Sequence, residues 1–388
     1  MYYIPVKASP RYHQMTLDEL LYGRSNTPAF VPNETAARTY AVDEISDRFL
    51  RDFHVEPLIR LLEDFNASTE KLRAQDRRSL YRHFWIPKRD GGKRWIDSPE
   101  PPLMEALSTL KRILETEFHT KQTPTQLQTM PYHTAAFAYV KGRCHLDAVK
   151  KHQKNESKWF AKLDFKNFFG STTLDFAMRM LSLVFPYCEV CRTPRGYDAL
   201  YKAVELGFLG GVLPQGTPLS PALTNIIMIP VDYCLSNMLR TAEGGPFVYT
   251  RYADDMIISS RYNFDVRRIE RTVLETLGKF EAPYRLNAEK TRYGSSAGSN
   301  YNLGLLLNKD NNITVGYKKK KRFQTMLNCF VLDTLHGSHW ELQEIQHLEG
   351  LRRYYRSVEG ETIDRIVKFI GNKHGVDIPS MIKAELTV

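Results

Sequence analysis

The sequence predicts an α+β fold organised around a split β-α-β sheet of ferredoxin type. Residues 159–163 form a β-prone run that ends in an acid, Asp164. Residues 246–251 and 256–260 read as a hairpin whose turn is Tyr252-Ala253-Asp254-Asp255. Helical segments follow each acid-bearing element. Adjacent carboxylates in an apolar, β-branched run are unusual, because neighbouring strand residues face opposite ways and a buried, unpaired carboxylate is costly.

Taken in order, residues 1–80 mix polar helical segments with turn punctuation and carry no recognisable chemistry. Phe84-Trp85-Ile86-Pro87 and Lys93-Arg94-Trp95-Ile96, separated by an Asp90-Gly91-Gly92 turn, predict a basic hairpin. Leu103, Leu107, Leu110 and Leu114 recur at helical spacing, as a packing helix requires. A helix is expected from about Thr173, and another after the loop of residues 210–221, with Ser220 at its N-cap and Pro221 at its first position. Two helices should close the chain, one near residues 340–348 and one carrying Ile363, Ile366, Val367 and Ile370 that stops at Gly371.

With 388 residues, 42% hydrophobic and 12% aromatic, the chain can bury a core of two or three subdomains. A charged fraction of 25% excludes a disordered class, and a net charge of +10 favours a polyanionic partner, nucleic acid before membrane. The first residues lack the apolar stretch of a signal peptide and no run approaches a membrane span. Five cysteines in so long a chain suit a reducing cytosol. Cys188-Glu189-Val190-Cys191 has the spacing of half a zinc site, which Cys144, His145 or Cys234 would have to complete; without a second such motif, ordinary semi-buried thiols are favoured.

The acids carry the chemistry. Alone, the Asp254-Asp255 pair would read as a solvated turn. Asp164, at the end of another strand, is the natural third oxygen donor. Hard carboxylates without His or Cys favour Mg²⁺, and two such ions about 3.5–4 Å apart would serve in-line phosphoryl transfer.

The ordered set Lys88…Gly91-Gly92-Lys93-Arg94…Pro99, Asp164-Phe165-Lys166-Asn167-Phe168-Phe169, Pro214-Gln215-Gly216-Thr217-Pro218-Leu219-Ser220-Pro221, Tyr252-Ala253-Asp254-Asp255, Leu286-Asn287-Ala288-Glu289-Lys290-Thr291 and Asn302-Leu303-Gly304-Leu305 resembles reverse transcriptases. The resemblance covers roughly residues 80–320. It implies a right-hand polymerase fold: an N-terminal extension with part of the fingers (1–80), fingers (81–160), a ferredoxin-like palm with the catalytic aspartates (161–315) and a helical thumb (316–388). It further implies an RNA-directed DNA polymerase that adds dNTPs to a primer using two Mg²⁺ ions, with Mn²⁺ as a substitute.

By the same resemblance, Asp164 and Asp254 would hold both metals, Asp255 would support them, and the Phe165 carbonyl would join the metal or triphosphate shell. Phe169 would be the steric gate against a 2′-OH, its alternative being a core aromatic. Lys88 and Arg94 would hold the triphosphate, with Arg89 and Lys93 as rivals. Gln215 and Gly216 would line the nucleotide and template pocket, Gly216 by allowing close backbone approach. Lys290 would protonate the leaving pyrophosphate, and residues 302–306 would form the primer-grip hairpin. Arg143 would contact template. Lys318-Lys319-Lys320-Lys321-Arg322 and Arg352-Arg353-Tyr354-Tyr355-Arg356, placed in the thumb, would track the duplex backbone.

The motif forms look bacterial. Some seventy residues after the first basic run leave room for a thumb but not for further intron-type domains. Retron enzymes usually carry Asn-Ala-x-x-His before the first catalytic Asp and Val-Thr-Gly later. This chain has Asp147-Ala148-Val149-Lys150-Lys151-His152 and Asn302-Leu303-Gly304 instead. These departures favour the defence-associated group, acting against phage with a structured non-coding RNA template, a DNA product, and a partner protein or homo-oligomer. A retron enzyme making RNA-linked DNA, a protein-primed or primer-independent polymerase, and a non-catalytic RNA scaffold are the alternatives.

Overall fold

The computed structural model describes residues 55–88, 91–120, 133–298 and 300–387. Most of the N-terminal extension and the rival ligand Arg89 thus lie outside the described residues.

Helix α1 (Glu56–Ser68) buries Leu58, Ile59, Leu62 and Phe65 along one stripe. Strands β1 (Tyr81–Pro87) and β2 (Lys93–Pro99) form the expected hairpin, in register from Tyr81↔Pro99 to Pro87↔Lys93. Gly91 supplies the positive φ of its turn, +83°. Helix α2 (Pro101–Thr120) follows, and all four leucines of the predicted stripe are fully buried. Helix α3 (His145–Lys154) precedes the central sheet.

That sheet contains β3 (Trp159–Asp164), β4 (Phe247–Tyr252), β5 (Asp255–Ser260) and β6 (Arg292–Ser295) in the order β4-β5-β3-β6. Every pairing is antiparallel. The first and third strands of the unit sit at its centre, which is the ferredoxin arrangement the pattern predicts. Between β3 and β4 run α4 (Leu174–Leu181), α5 (Pro194–Glu205), α6 (Leu219–Ile227) and α7 (Ile229–Thr241); α8 (Val266–Lys279) links β5 to β6. Thr173 caps α4, accepting from the Phe176 amide at 3.3 Å.

The start of α6 differs from expectation. Pro218, not Ser220, holds the N-cap position, and Thr217 just before it accepts from the Ser220 amide at 3.1 Å. Ser220 Oγ instead donates to the Pro214 carbonyl at 2.8 Å and ties down the preceding loop. Pro221 remains in the first turn, where a missing N–H costs nothing.

A small sheet of β7 (Tyr301–Asn302), β8 (Leu305–Leu307) and β9 (Ile313–Thr314) leads into α9 (Tyr317–Leu335), α10 (Leu342–His374) and α11 (Ile378–Glu385). Three helices therefore close the chain rather than two, and α10 is kinked at Glu359. Its stop is Gly375, at φ +68°, not Gly371. Gly371 is a packing glycine: a Cβ there would stand 2.8 Å from the Val376 carbonyl where the chain doubles back. Leu305, Leu307 and the apolar faces of α9–α11 form a second core, which meets α3 and the central sheet through Val149, Phe160 and Ile257.

Cys188 and Cys191 are buried thiols, and burial pushes that of Cys191 up to about 12. No single described helix is long and apolar enough to cross a membrane, although α6 and α7 pass by length and composition as a bent pair. Both line the interior.

Candidate active site

Strand register assembles the acids. β3 ends at Asp164, whose Cα partner is Asp255, the first residue of β5. The intervening turn is sharp because Ala253 adopts a left-handed backbone, φ +58°. The Phe165 amide donates to the Asp254 carbonyl at 3.2 Å, so the chain leaving β3 is stitched to that turn. Asp164 is buried, Asp254 half-buried and Asp255 open to solvent on one side.

The segment before β6 closes round Asp164. The Asn287 amide donates to its carbonyl at 2.8 Å and Asn287 Nδ2 to Oδ1 at 3.3 Å. Lys290 Nζ lies 3.1 Å from Oδ2. Although its own burial works against this, contact with Asp164 holds the Lys290 ammonium above the usual lysine range. Among the described residues Asp254 and Asp255 have no cation in such contact. Burial, then the neighbouring Asp164 charge, raises the Asp254 carboxyl; burial, then Asp254 and Asp164, pushes that of Asp255 up to about 6. Among the described residues no three His, Cys, Asp or Glu side chains form a ready-made metal cluster. The donors nevertheless suit a hard divalent cation in type: oxygen only, with two acids short of counter-charge.

Arg94 projects from the β1–β2 hairpin near enough to stabilise ionised Asp254, while Lys88 stands exposed at the hairpin turn. Phe169 sits half-buried on a one-turn helix, Phe168–Ser171, that starts from a left-handed Asn167, φ +52°. Gln215 and Gly216 serve the hairpin. The Gln215 carbonyl accepts from the Asp97 amide at 2.7 Å. A Cβ on Gly216 (φ +119°) would lie 2.8 Å from Ile96 Cγ2. The close approach this glycine permits is therefore to β2.

Two expected nucleic-acid contacts are engaged elsewhere. Arg143 Nη1 donates to the His133 and Ala136 carbonyls at 3.0 and 2.6 Å, fastening its own turn. In the second basic run, Arg352 and Arg353 both bind Glu349 at 2.6 Å, Arg356 binds Asp364 at 2.8 Å, and Tyr354 bonds to His145 at 2.8 Å. The first run divides. Lys319 caps the β7–β8 turn at the Gly304 carbonyl (2.6 Å) and Lys320 binds Glu359 (2.8 Å), while Lys318, Lys321 and Arg322 face solvent.

Sequence reasoning passed over the groups beneath the acids. Arg251 and Asp232, both wholly buried, pair at 2.7 Å. Tyr249 donates to Asp232 at 2.8 Å. Beside them His152 bonds to Ser259 (2.6 Å) and Thr250 (2.8 Å), and burial lowers its pKa to about 3. The signal was present: charges at 232 and 251 interrupt otherwise apolar segments.

A sequence model described as reverse transcriptase (RNA-dependent DNA polymerase) matches residues 86–324. The chain belongs to the reverse transcriptase family. It is an RNA-directed DNA polymerase of a family that uses divalent metal ions, and it is similar to retron reverse transcriptases of bacteria. Retron Ec83 reverse transcriptase of Escherichia coli is 28% identical, over 75% of this chain and 87% of that protein. Retron Ec73 reverse transcriptase of the same species is 26% identical, over 71% and 92%. Retron Mx65 reverse transcriptase of Myxococcus xanthus is 26% identical, over 76% and 65%. The two departures from the retron pattern thus occur in a reverse transcriptase with retron relatives. Telomerase from Candida albicans, solved with a fragment of telomeric RNA, is similar at 14% identity and a TM-score of 0.43, over 74% of this chain and 55% of that one. Apo telomerase from Candida tropicalis gives 13%, 0.45, 74% and 59%. The reverse transcriptase spans little more than half of each telomerase chain.

Proposed function

We propose that this reverse transcriptase extends a primer on an RNA template at the Asp164–Asp254 carboxylates, with two Mg²⁺ ions as their counter-charge and dNTPs as substrates. The observation that carries this reading is the pairing of Asp164 with the Asp254-Asp255 turn across β3 and β5. Such ions, when bound, stabilise the attacking and leaving oxygens of an in-line displacement. Asp164 and Asp254 hold them, with Asp255 and the Phe165 carbonyl in support. Lys290, displaced from Asp164, donates the proton to departing pyrophosphate. Arg94 and Lys88 neutralise the triphosphate, Gln215 and Gly216 set the hairpin that carries them, and Phe169 lies beneath the sugar. In this reading residues 81–160 act as fingers, 161–315 as palm and 316–388 as thumb.

We further infer that the template is a structured non-coding RNA and the setting bacterial anti-phage defence. The likeness to retron reverse transcriptases supports this, as does the net charge of +10. Purified protein on a primed RNA template should incorporate dNTPs and reject rNTPs, and Phe169→Ala should relax that rejection. Incorporation of rNTPs by the unaltered protein would remove the gate assignment. Sequencing the co-purified nucleic acid should return one structured RNA with complementary DNA; a random RNA population would contradict the template reading.

A further inference from the structure

The turn that carries Asp254 is not self-supporting. Ala253 holds a left-handed backbone that a residue with a Cβ adopts only under constraint, and its neighbours on both sides carry charge-bearing or bulky side chains. The constraint is visible on the core side. Arg251 Nη1 donates to the Ala253 carbonyl at 3.2 Å and to Asn225 Oδ1 at 3.2 Å. Its remaining donors are held by Asp232: Nε to Oδ1 at 2.9 Å and Oδ2 at 3.1 Å, Nη2 to Oδ2 at 2.7 Å. Tyr249 fixes Asp232 from the same strand. The Arg251 main chain is fixed as well, donating to Ala135 at 2.6 Å and accepting from Phe137 at 2.9 Å. Asn225 Nδ2 reaches the Ala138 carbonyl at 2.7 Å, beside Tyr139, whose phenol senses the charge of Asp254.

We propose that Arg251, held by Asp232 and Asn225, is a positioning residue for catalysis: it fixes the Ala253–Asp254 peptide plane and so aims the Asp254 carboxylate. A planar fork with donors in fixed directions suits this task, and a lysine in its place would keep the charge but lose the bond to Ala253. The pair sits where a structural ion pair alone could be replaced by apolar groups at little cost; its bond to a strained turn gives it a second task. The inference rests on the reading of Asp254 as the metal-holding acid.

Arg251→Lys tests it, with the double replacement Arg251→Met/Asp232→Leu as the variant that removes the buried charges together should the first fail to fold. In either folded variant, amide hydrogen exchange at residues 252–255 should quicken at least tenfold while the interior of β5 stays protected. The turnover number should fall at least tenfold, half-saturation by Mg²⁺ should rise severalfold, and primer–template affinity should stay within twofold. A folded variant with unchanged exchange at the turn and unchanged Mg²⁺ dependence overturns the proposal. Asp254→Ala separates the two readings: if it retains full activity, the assignment of Asp254 fails, whatever Arg251 does.

Discussion

Arg251 and Asp254 stand on opposite sides of one β-turn, and their charges are balanced in opposite ways. On the core side Arg251 and Asp232 are both fully buried and satisfy each other, with Tyr249 and Asn225 taking the remaining bonds. On the solvent side no described cation touches Asp254 or Asp255, and their carboxyls are raised by burial and by the neighbouring acids. A fold can afford the second arrangement only if something else supplies the positive charge. The first group has its charges matched from within and holds the turn from the core side; the second is incomplete and is where a cation and a polyphosphate belong.

Substitutions on the two sides of the turn put that contrast at risk. Asp254→Ala should reduce nucleotide incorporation at least ~10³-fold, the scale of losing a preorganised charge contact, with thermal stability unchanged or raised as repulsion is relieved. Incorporation assays beside a melting curve check both halves. Asp232→Ala should do the reverse first: an uncompensated buried guanidinium costs about 3–5 kcal/mol, which urea unfolding would register whatever the activity. Equal stability in the two variants would dissolve the distinction between the sides of the turn.

His152 gives a smaller, pH-dependent effect. The fold keeps its ring neutral, with the pKa lowered to about 3 from 6.5. The unfolded chain therefore binds the proton more readily, so this contribution is fully present above pH 6.5 and is lost progressively as pH falls towards 3. His133, lowered to about 4, acts in the same sense. Unfolding midpoints should drop between pH 7.5 and 5.5, and less steeply in His152→Gln. An equally steep fall in His152→Gln would mean the ring is not held neutral.

A subtler difference separates the two basic runs. Lys321→Gln or Arg322→Gln should make primer–template binding less salt-dependent, by a slope of about one for each phosphate that is no longer neutralised. Arg353→Gln, already engaged with Glu349, should leave the slope nearly unchanged. Fluorescence anisotropy across a salt series distinguishes them.

The same contrast explains what could be read from the sequence. The sheet was legible because its acids end β3 and flank a turn, and the leucine stripe of α2 because its period is local. Pro218 rather than Ser220 at the cap of α6, and Gly375 rather than Gly371 at the end of α10, escaped because the local rule does not fix the boundary and only packing chooses it. The neutralisation of Arg352 and Arg353 was available at spacings of three and four from Glu349. That Asp232 meets Arg251 was not, since only the packing of α7 against β4 brings them together. The chemistry was legible in residues that break a pattern; the partners that position them lie elsewhere in the chain.

The decisive experiment is a crystal of the ternary complex with primer, RNA template and incoming nucleotide, grown with Mn²⁺ and measured by anomalous diffraction. Peaks at the Asp164 and Asp254 carboxylates, with Lys290 withdrawn from Asp164 and the Asp232–Arg251 pair undisturbed, are the predicted result. Metal bound elsewhere, or Lys290 still on Asp164 with nucleotide in place, would contradict it.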